Sequence, residues 1–199
     1  MSLVTKSALI LRDRDLLGEL AARRLVRVMV SLTSLDRDLK RTLEPRAASP
    51  DARLRTIAAL AAAGVPVGTL IAPVIPGLTD HELERLLTAA REAGADTAGW
   101  MLLRLPREVA PLFTAWLEAH HPKRAAKVLS LMRQCRGGAV YDSRFGTRMR
   151  GEGVFVELLE QRFRKACRLL GLNSPAARAA QTLDTTAFRP PRAQGDLFD

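Results

Sequence analysis

One stretch, Val65–Asp80, limits the folds open to this chain more than any other. Its sequence, VPVGTLIAPVIPGLTD, is an apolar run rich in β-branched residues that ends at Pro76-Gly77 and is too short to span a membrane. Such a run is typical of a strand buried on both faces, as parallel strands are beneath helices. Thr79 and Glu82 lie three residues apart ahead of a leucine-rich segment, which predicts a capping box. The stretch therefore predicts a buried parallel strand that turns directly into a helix.

The turn between this strand and its helix has two interpretations. A helix that follows a parallel strand leaves backbone N–H groups unpaired at its start, and α/β enzymes use such groups to bind anions. On this interpretation, the turn at Gly77–Thr79 binds a phosphorylated metabolite in a self-sufficient small enzyme, although no catalytic constellation accompanies it. On the other interpretation, the turn is only a β–α connection.

Strand-like and helix-like segments alternate along the first two thirds of the chain. Strands are predicted within Met1–Leu11, Leu25–Ser34, Val65–Gly77 and Asp96–Leu105, and a segment with helical periodicity follows each of them. This βαβαβαβα order predicts an α/β protein with a parallel sheet and right-handed crossovers. Four βα units are half of an eight-unit barrel, so the predicted fold is an incomplete (β/α) barrel of about four units.

The segment that follows is rich in arginine and glycine. Tyr141–Gly153 reads YDSRFGTRMRGEG and carries Arg144, Arg148 and Arg150. Glycines allow close backbone approach and arginines supply charge, so one interpretation is a loop that contacts phosphate or substrate. The alternative is a solvated connector.

We divide the chain into three predicted parts. Residues 1–138 form the partial barrel, 139–172 form the Arg/Gly-rich loop and a helix packed on the barrel, and 173–199 form a flexible tail. The helix is predicted at Val154–Leu170, where an apolar stripe at helical spacing ends before Gly171. The tail is predicted because it has several prolines and few large apolar residues.

The chain is strongly basic, with 31 Lys+Arg against 21 Asp+Glu and a net charge of +10. Guanidinium groups bind phosphate bidentately, so a nucleic-acid partner is one interpretation. An alanine- and arginine-rich composition can also follow from genome base composition. No apolar segment is long enough to span a membrane, and Met1–Ile10 lacks the features of a signal peptide. We therefore expect a cytoplasmic protein without a membrane partner.

Residues that bind metals are few and scattered. The two cysteines, Cys135 and Cys167, and the three histidines show no zinc-like spacing, and no CxxxCxxC motif is present. The sequence also lacks a G-x-S-x-G elbow, a P-loop and a G-x-G-x-x-G fingerprint. We predict no metal site and identify no catalytic residue. We also expect that this chain by itself does not bind an iron–sulfur cluster.

Four segments together resemble one family. They are TKSALILRDRDLL at Thr5–Leu17, SLTSLDRDLKRTLEPRAASPDARL at Ser31–Leu54, VPVGTLIAPVIPGLTDHEL at Val65–Leu83 and RGGAVYDSRFGTRMRGEG at Arg136–Gly153. In this order they resemble the C-terminal part of radical SAM proteins of the spore photolyase-like, or DNA-repair-photolyase-like, group. LEPRAASP and YDSRFGTRMRGEG are the more specific matches.

The resemblance implies a radical-SAM-type partial TIM barrel and a lyase-type activity in DNA repair. In this family a CxxxCxxC loop near the N-terminal end binds a [4Fe–4S] cluster, and SAM chelates the open iron. Reductive cleavage of SAM gives a 5′-deoxyadenosyl radical that abstracts hydrogen from the substrate. The implied cofactors are S-adenosyl-L-methionine and a [4Fe–4S] cluster, whose cysteine ligands are absent from this chain.

The resemblance also implies which residues bind SAM. Polar groups at the end of the fourth barrel strand, a charged residue after it and the backbone of the fifth strand hold SAM in such barrels. The corresponding residues here are Ser31 and Thr33 for ribose or carboxylate, Arg46 for the carboxylate, and Ile75 and Gly77 for adenine. A guanidinium is the natural partner of a carboxylate, and the alternative for Arg46 is an ion pair with Glu44.

The first two βα units of the family have no counterpart in this sequence. The leading hypothesis is therefore the C-terminal portion of a radical SAM enzyme, split or truncated, whose partner is the N-terminal half of the same barrel. The alternative hypothesis is a non-catalytic nucleic-acid-binding remnant that acts through Arg144, Arg148 and Arg150.

Overall fold

A parallel sheet forms the centre of the computed structural model, which describes residues 1–139, 141 and 149–187. The strands lie in the order β1-β2-β3-β4 and every neighbouring pair is parallel. This arrangement confirms the predicted α/β partial barrel. The strands are β1 Ser2–Thr5, β2 Arg27–Leu32, β3 Val67–Val74 and β4 Thr97–Leu102.

Each crossover carries helix, as the alternation predicts. The prediction for the first strand was too long, because a 3-10 turn occupies Ala8–Asp13. Ser49 caps α3, since its hydroxyl accepts from the Ala52 N–H. The helices are α1 Arg14–Ala22, α2 Arg37–Leu43, α3 Pro50–Ala62, α4 Leu83–Glu92, α5 Val109–His120, α6 Pro122–Gln134, α7 Val154–Leu170 and α8 Pro175–Ala180.

The two faces of the sheet differ in how well they are covered. One face packs beneath the helices, and its side chains, such as Val28, Val30 and Ile71, are almost fully buried. The other face is concave and open. Val4 is 61% exposed there, and Leu70 and Met101 are only half-buried. The apolar side chains on this concave face are therefore in contact with solvent.

The turn after β3 differs from its prediction. Thr79 does not cap the following helix, because its hydroxyl accepts from the Ile75 N–H. Glu82 lies at the end of a 3-10 turn and is buried; its carboxylate accepts from the Ser34 hydroxyl and the Leu35 N–H. The predicted capping box is wrong, and Glu82 instead anchors the connection that follows β2.

The backbone N–H groups of this turn are also already paired. The Gly77 N–H donates to the Asp80 carboxylate at 2.6 Å, and the Leu78 and Thr79 N–H groups donate to the Ile75 carbonyl. These bonds leave no open anion-binding cradle at Gly77–Thr79. The phosphorylated-metabolite interpretation of this turn is therefore not supported.

Helix α7 has the predicted bounds and packs beside α4. Gly171 ends it with φ +68°, a left-handed conformation that glycine adopts readily. Arg162 of α7 forms a bidentate pair with Glu84 of α4, at 2.7 and 2.6 Å, and also donates to the Asp80 carbonyl. Within the segment predicted as a tail, residues 175–180 form α8, while 188–199 lie outside the described residues.

Candidate functional site

An open groove crosses the concave face where all four strands end. It has a volume of about 440 Å³ and runs from the end of β1 to the residues after β4. Parallel barrels place their ligand-binding groups at this end of the strands. The polar side chains in its lining are Thr5, Lys6, Ser31 and Arg104, and the apolar residues are Val4, Leu70, Ala72, Pro73, Met101, Leu102 and Leu103.

Lys6 is held in the groove by a network of ions beneath it. Its ammonium group pairs with the carboxylate of Glu44, which also accepts from the guanidinium of Arg53 at 2.6 Å. Arg53 is only 3% exposed and donates further bonds to the carbonyls of Ser31 and Ala48, at 3.0 and 2.9 Å. The network therefore ties α3 and the LEPR connection to the end of β2.

Glu44 is charged within this network. Burial by itself raises the pKa of Glu44, but the hydrogen bonds from Lys6 and Arg53 outweigh burial and hold the pKa below its ordinary value. Two cations facing one carboxylate leave the site with a surplus positive charge. Lys6, on the groove side, is the cation that an incoming anion can reach.

Arg104 stands at the other end of the groove with weak partners. Its Nη1 lies 3.7 Å from the Met149 sulfur and its Nη2 lies 3.5 Å from the Tyr141 hydroxyl. Its Nε is buried and has no hydrogen-bond partner among the residues described. A guanidinium has five donors, so Arg104 is under-satisfied and suited to an anionic ligand.

The predicted residues on β2 lie at the edge of the groove or beneath it. Ser31 lines the groove and its hydroxyl donates to the Ala72 carbonyl at 3.1 Å. The Thr33 hydroxyl lies 3.0 Å from the same carbonyl and 3.1 Å from the Glu44 carboxylate. Both hydroxyls keep acceptor capacity, but only Ser31 faces the groove.

The other predicted SAM contacts lie outside the groove lining. Arg46 is exposed in a turn and does not pair with Glu44, whose carboxylate is taken by Lys6 and Arg53. Ile75 and Gly77 are near the groove in sequence, but their N–H groups are bonded to Thr79 and Asp80. The roles of Thr33, Arg46, Ile75 and Gly77 in binding SAM stay predictions.

A second and larger groove follows the free edge of β4. We call it the edge groove; its volume is about 890 Å³ and it includes the predicted contact residue Arg150. Arg144 and Arg148, the other two predicted contacts, lie outside the described residues. Its charged and aromatic side chains are Trp100, Arg150, Glu160, Phe163, Arg164, Arg168 and Arg178.

The sequence analysis did not identify several residues that the structure places in or beside the groove on the concave face. Lys6 directly follows β1 and Arg104 lies two residues after β4; barrels concentrate functional groups there, so their position was an available signal. The pairing of Glu44 with Arg53 had no such signal, because it joins a loop to the inner face of a helix.

Comparison with known proteins agrees with this geometry. The sequence model of the radical SAM superfamily matches residues 1–90 of the chain. The match covers 90 of the 199 residues, so the similarity to this superfamily is shown for that part of the chain. Among its relatives, uncharacterized proteins of Mycobacterium bovis and Mycobacterium tuberculosis are 36% identical over 136 residues, which is 67% of this chain and 40% of theirs. An uncharacterized protein of Methanocaldococcus jannaschii is 32% identical over 82 residues, which is 41% of this chain and 30% of that protein.

Solved structures of spore photoproduct lyase share the fold of this chain. A variant of the lyase and its complex with dinucleoside spore photoproduct have TM-scores of 0.57 and 0.56 and are 21% identical to the chain. The similarity covers 86% of this chain and 49% of the lyase chain. The chain therefore spans about half the length of the lyase and less than half that of its mycobacterial relatives.

The superfamily implies an iron–sulfur cluster, but the described residues do not fit one. Cys135 and Cys167 are the only cysteines; both are buried and unpaired, and burial raises the pKa of each thiol to about 11. A cluster ligand is a deprotonated thiolate, which such burial disfavours. Within the described residues no group of three or more acidic, histidine or cysteine side chains could hold a metal.

The groove on the concave face fits SAM better. Its volume is within the range of small-ligand pockets, about 300–1,000 Å³. Lys6 offers an ammonium group for a carboxylate, Ser31 offers a hydroxyl, and Leu70 and Met101 provide apolar walls for an adenine ring.

No helix in residues 1–139, 141 and 149–187 is long and apolar enough to cross a membrane.

Proposed function

We propose that this chain is the SAM-binding, substrate-facing half of a spore photolyase-like radical SAM enzyme. The observation that carries the proposal is the groove at the ends of four parallel strands, with Lys6 at one end and Arg104 at the other. The cysteines that bind the cluster belong to residues outside this sequence. The enzyme is active only when an N-terminal half completes the barrel, and it works in the cytoplasm.

The open concave face supports the need for a second half. Val4 on β1 is 61% exposed, and the order of strands leaves β1 at the edge of the sheet. An unpaired parallel strand beside exposed apolar side chains is a template for further strands. The partner of this face is therefore the N-terminal part of the barrel, whether it lies on a separate chain or on a longer form of this one.

Lys6 and Ser31 are the groups we assign to SAM. The ammonium group of Lys6 pairs with the SAM carboxylate, and Glu44 keeps Lys6 oriented while it does so. Ser31 binds the ribose or the carboxylate from the end of β2. Bound SAM supplies the radical chemistry of the superfamily, and the part of this chain is to fix its position in the groove.

Arg104 is the group we assign to the substrate. Among the described residues, its buried Nε has no partner and its other nitrogens contact a thioether and a phenol, so a phosphate oxygen satisfies it better than these groups do. The substrate of the completed enzyme is therefore anionic, and a phosphodiester of modified DNA fits this requirement. The same chemistry is consistent with a lyase in DNA repair.

Isothermal titration with SAM tests this assignment on the chain itself. We expect binding by the wild-type chain and at least a tenfold loss for Lys6→Met, because a charged carboxylate contact is worth about 1.5–3 kcal/mol. Lys123→Met removes an exposed lysine of α6 and serves as the control. Ser31→Ala is a second variant that leaves the Glu44 network intact. SAM affinity unchanged in both Lys6→Met and Ser31→Ala would contradict the assignment.

A further inference from the structure

The edge groove holds a surplus of positive charge that the protein does not neutralise. Four arginines line it, at positions 150, 164, 168 and 178, against the single carboxylate of Glu160. Glu160 accepts from the Arg164 guanidinium at 2.7 Å and from the Trp100 indole at 2.9 Å. The guanidinium groups of Arg150, Arg168 and Arg178 have no hydrogen-bond or ion-pair partner within the described ranges.

Arginines elsewhere on the described surface include both paired and unpaired side chains. Arg37, Arg91 and Arg162 each pair with a carboxylate on another element or loop. Others, such as Arg23, Arg55 and Arg85, lie on separate elements and do not share one concavity. The edge groove therefore concentrates three guanidiniums in one concavity without acceptors, which favours a ligand that carries several negative charges.

An aromatic ring and a piece of strand edge lie in the same groove. Trp100 is half-buried and lines the groove, with its indole held in place by Glu160. On the outer edge of β4, the backbone positions two residues before and after Trp100 are already hydrogen-bonded. Ala98 bonds to the Asn173 amide, and the Leu102 N–H bonds to the Met149 carbonyl. Strand alternation turns the Trp100 peptide toward this edge between the two covered positions. The groove thus combines charge, a ring face and a backbone donor.

We infer that the edge groove binds single-stranded nucleic acid. Guanidiniums of Arg150, Arg168 and Arg178 contact successive phosphates, and a base stacks on the exposed part of the Trp100 ring. A positively charged groove with an interleaved aromatic side chain is the arrangement by which single strands are bound without sequence preference. The inference is independent of SAM binding, because it concerns the opposite side of β4 from the groove that contains Lys6 and Arg104.

Fluorescence anisotropy with a labelled oligodeoxythymidine of about twelve nucleotides tests the inference, since single-strand sites span about 4–16 nucleotides. The wild-type chain should bind at about 50 mM salt, and log Kd should change with log salt with a slope of about 2, because each phosphate contact contributes about 0.7. Replacing Arg150, Arg168 and Arg178 together by Gln should weaken binding at least tenfold and flatten the slope.

A matched variant separates a local site from overall charge. Replacing Arg23, Arg55 and Arg85 by Gln removes the same number of positive charges. These arginines are exposed on or next to α1, α3 and α4, and their side chains have no described partner. This control should change the affinity less than threefold. Equal losses in the two triple variants, or no binding by the wild-type chain at low salt, would overturn the inference.

The tryptophan and the form of the nucleic acid give a second measurement. In the single-tryptophan variant Trp116→Phe, emission reports on Trp100 alone and should be quenched by oligodeoxythymidine and by oligouridine. If anisotropy shows wild-type binding but the Trp100 emission is not quenched, the inference that a base stacks on Trp100 is overturned. A duplex that competes better than the single strand would overturn the choice of ligand. SAM affinity should be the same in the arginine variant and the wild type, so failure here is distinguishable from failure of the SAM assignment.

Discussion

The two edges of the sheet are finished in opposite ways. Along β4 the edge is closed: the Asn173 amide donates to and accepts from the Ala98 backbone at 2.9 Å each, and its own N–H bonds to the Asp96 carbonyl. Asn173 thus imitates a neighbouring strand. Along β1, no strand in the described residues pairs with the outer side, and Val4 is 61% exposed. One edge ends the sheet, and the other is shaped for continuation.

The β1 side of the sheet is stabilised by ion pairs at the ends of its strands and not by a partner along its edge. Lys6, Glu44 and Arg53 form a partly buried ionic network at the ends of β1 and β2. Such a network fixes the loop ends in place without covering the strand. The difference shows how half a barrel can hold its ligand-binding end in shape while its edge stays available.

Breaking the network should have the largest effect on stability. Arg53→Met leaves the Glu44 carboxylate buried with one partner fewer and removes the bonds to the Ser31 and Ala48 carbonyls. We expect a loss of about 3–5 kcal/mol in the free energy of unfolding, as for other broken buried pairs. Urea unfolding followed by far-UV circular dichroism measures it. Arg55→Met on the same helix is exposed and should change stability by less than about 0.5 kcal/mol.

Opening the closed edge should have the next largest effect. Asn173→Ala removes two hydrogen bonds to Ala98 and places a residue with a Cβ at φ +58° without the asparagine side chain that favours it. We expect a loss of about 2–3 kcal/mol from these bonds and the backbone strain together. Asn173→Gly keeps the conformation and loses only the bonds, so it should fall between the alanine variant and the wild type. An unchanged unfolding midpoint for Asn173→Ala would refute the strand-imitating role.

The difference between the wild type and Glu44→Gln on the acid side of the stability profile reports on Glu44. Its pKa is lower in the folded state than the unfolded value of about 4.3, so its contribution is present above that value and is lost as the pH falls through the folded pKa. Wild-type stability should therefore fall more steeply than that of Glu44→Gln as the pH drops below about 5. Glu118→Gln, on an exposed part of α5, should keep the wild-type slope. Parallel profiles for all three proteins would contradict the charge state of Glu44.

A charge on the open edge should leave stability almost unchanged. Val4→Lys alters a mostly exposed side chain, so the free energy of unfolding should shift by less than about 0.5 kcal/mol. The same change should suppress association through β1, because lysine at an edge strand blocks strand pairing. Light scattering after size exclusion measures self-association. Val154→Lys, at a site 82% exposed on α7, is the control and should associate like the wild type.

Much of the fold was visible in the sequence because periodicity reports burial directly. Four strands and the bounds of α7 follow from apolar spacing alone. The capping box at Thr79 and Glu82 was wrong because spacing says nothing about competing partners. The Thr79 hydroxyl accepts from the Ile75 N–H instead, and the Glu82 carboxylate accepts from the loop after β2. The closing of the β4 edge by Asn173 joins residues 75 positions apart, which no local pattern encodes.

The site was visible only in part for the same reason. Ser31 was assigned from the family resemblance, and the structure places it in the lining of the groove. Arg46 was chosen for its charge in the LEPR segment, but the groove contains Lys6 and Arg104 instead. Which cation faces a groove depends on the path of the loop that carries it.

The most direct test of the account is anaerobic reconstitution with iron and sulfide. Absorbance at about 400 nm and the iron content report a cluster. The measurement is made on this chain alone and on this chain with an N-terminal radical SAM polypeptide that carries CxxxCxxC. The account predicts no cluster on the chain alone and a cluster, with SAM bound, when the barrel is completed. A stable cluster on the chain alone would contradict it, as would a completed mixture that neither associates nor binds SAM.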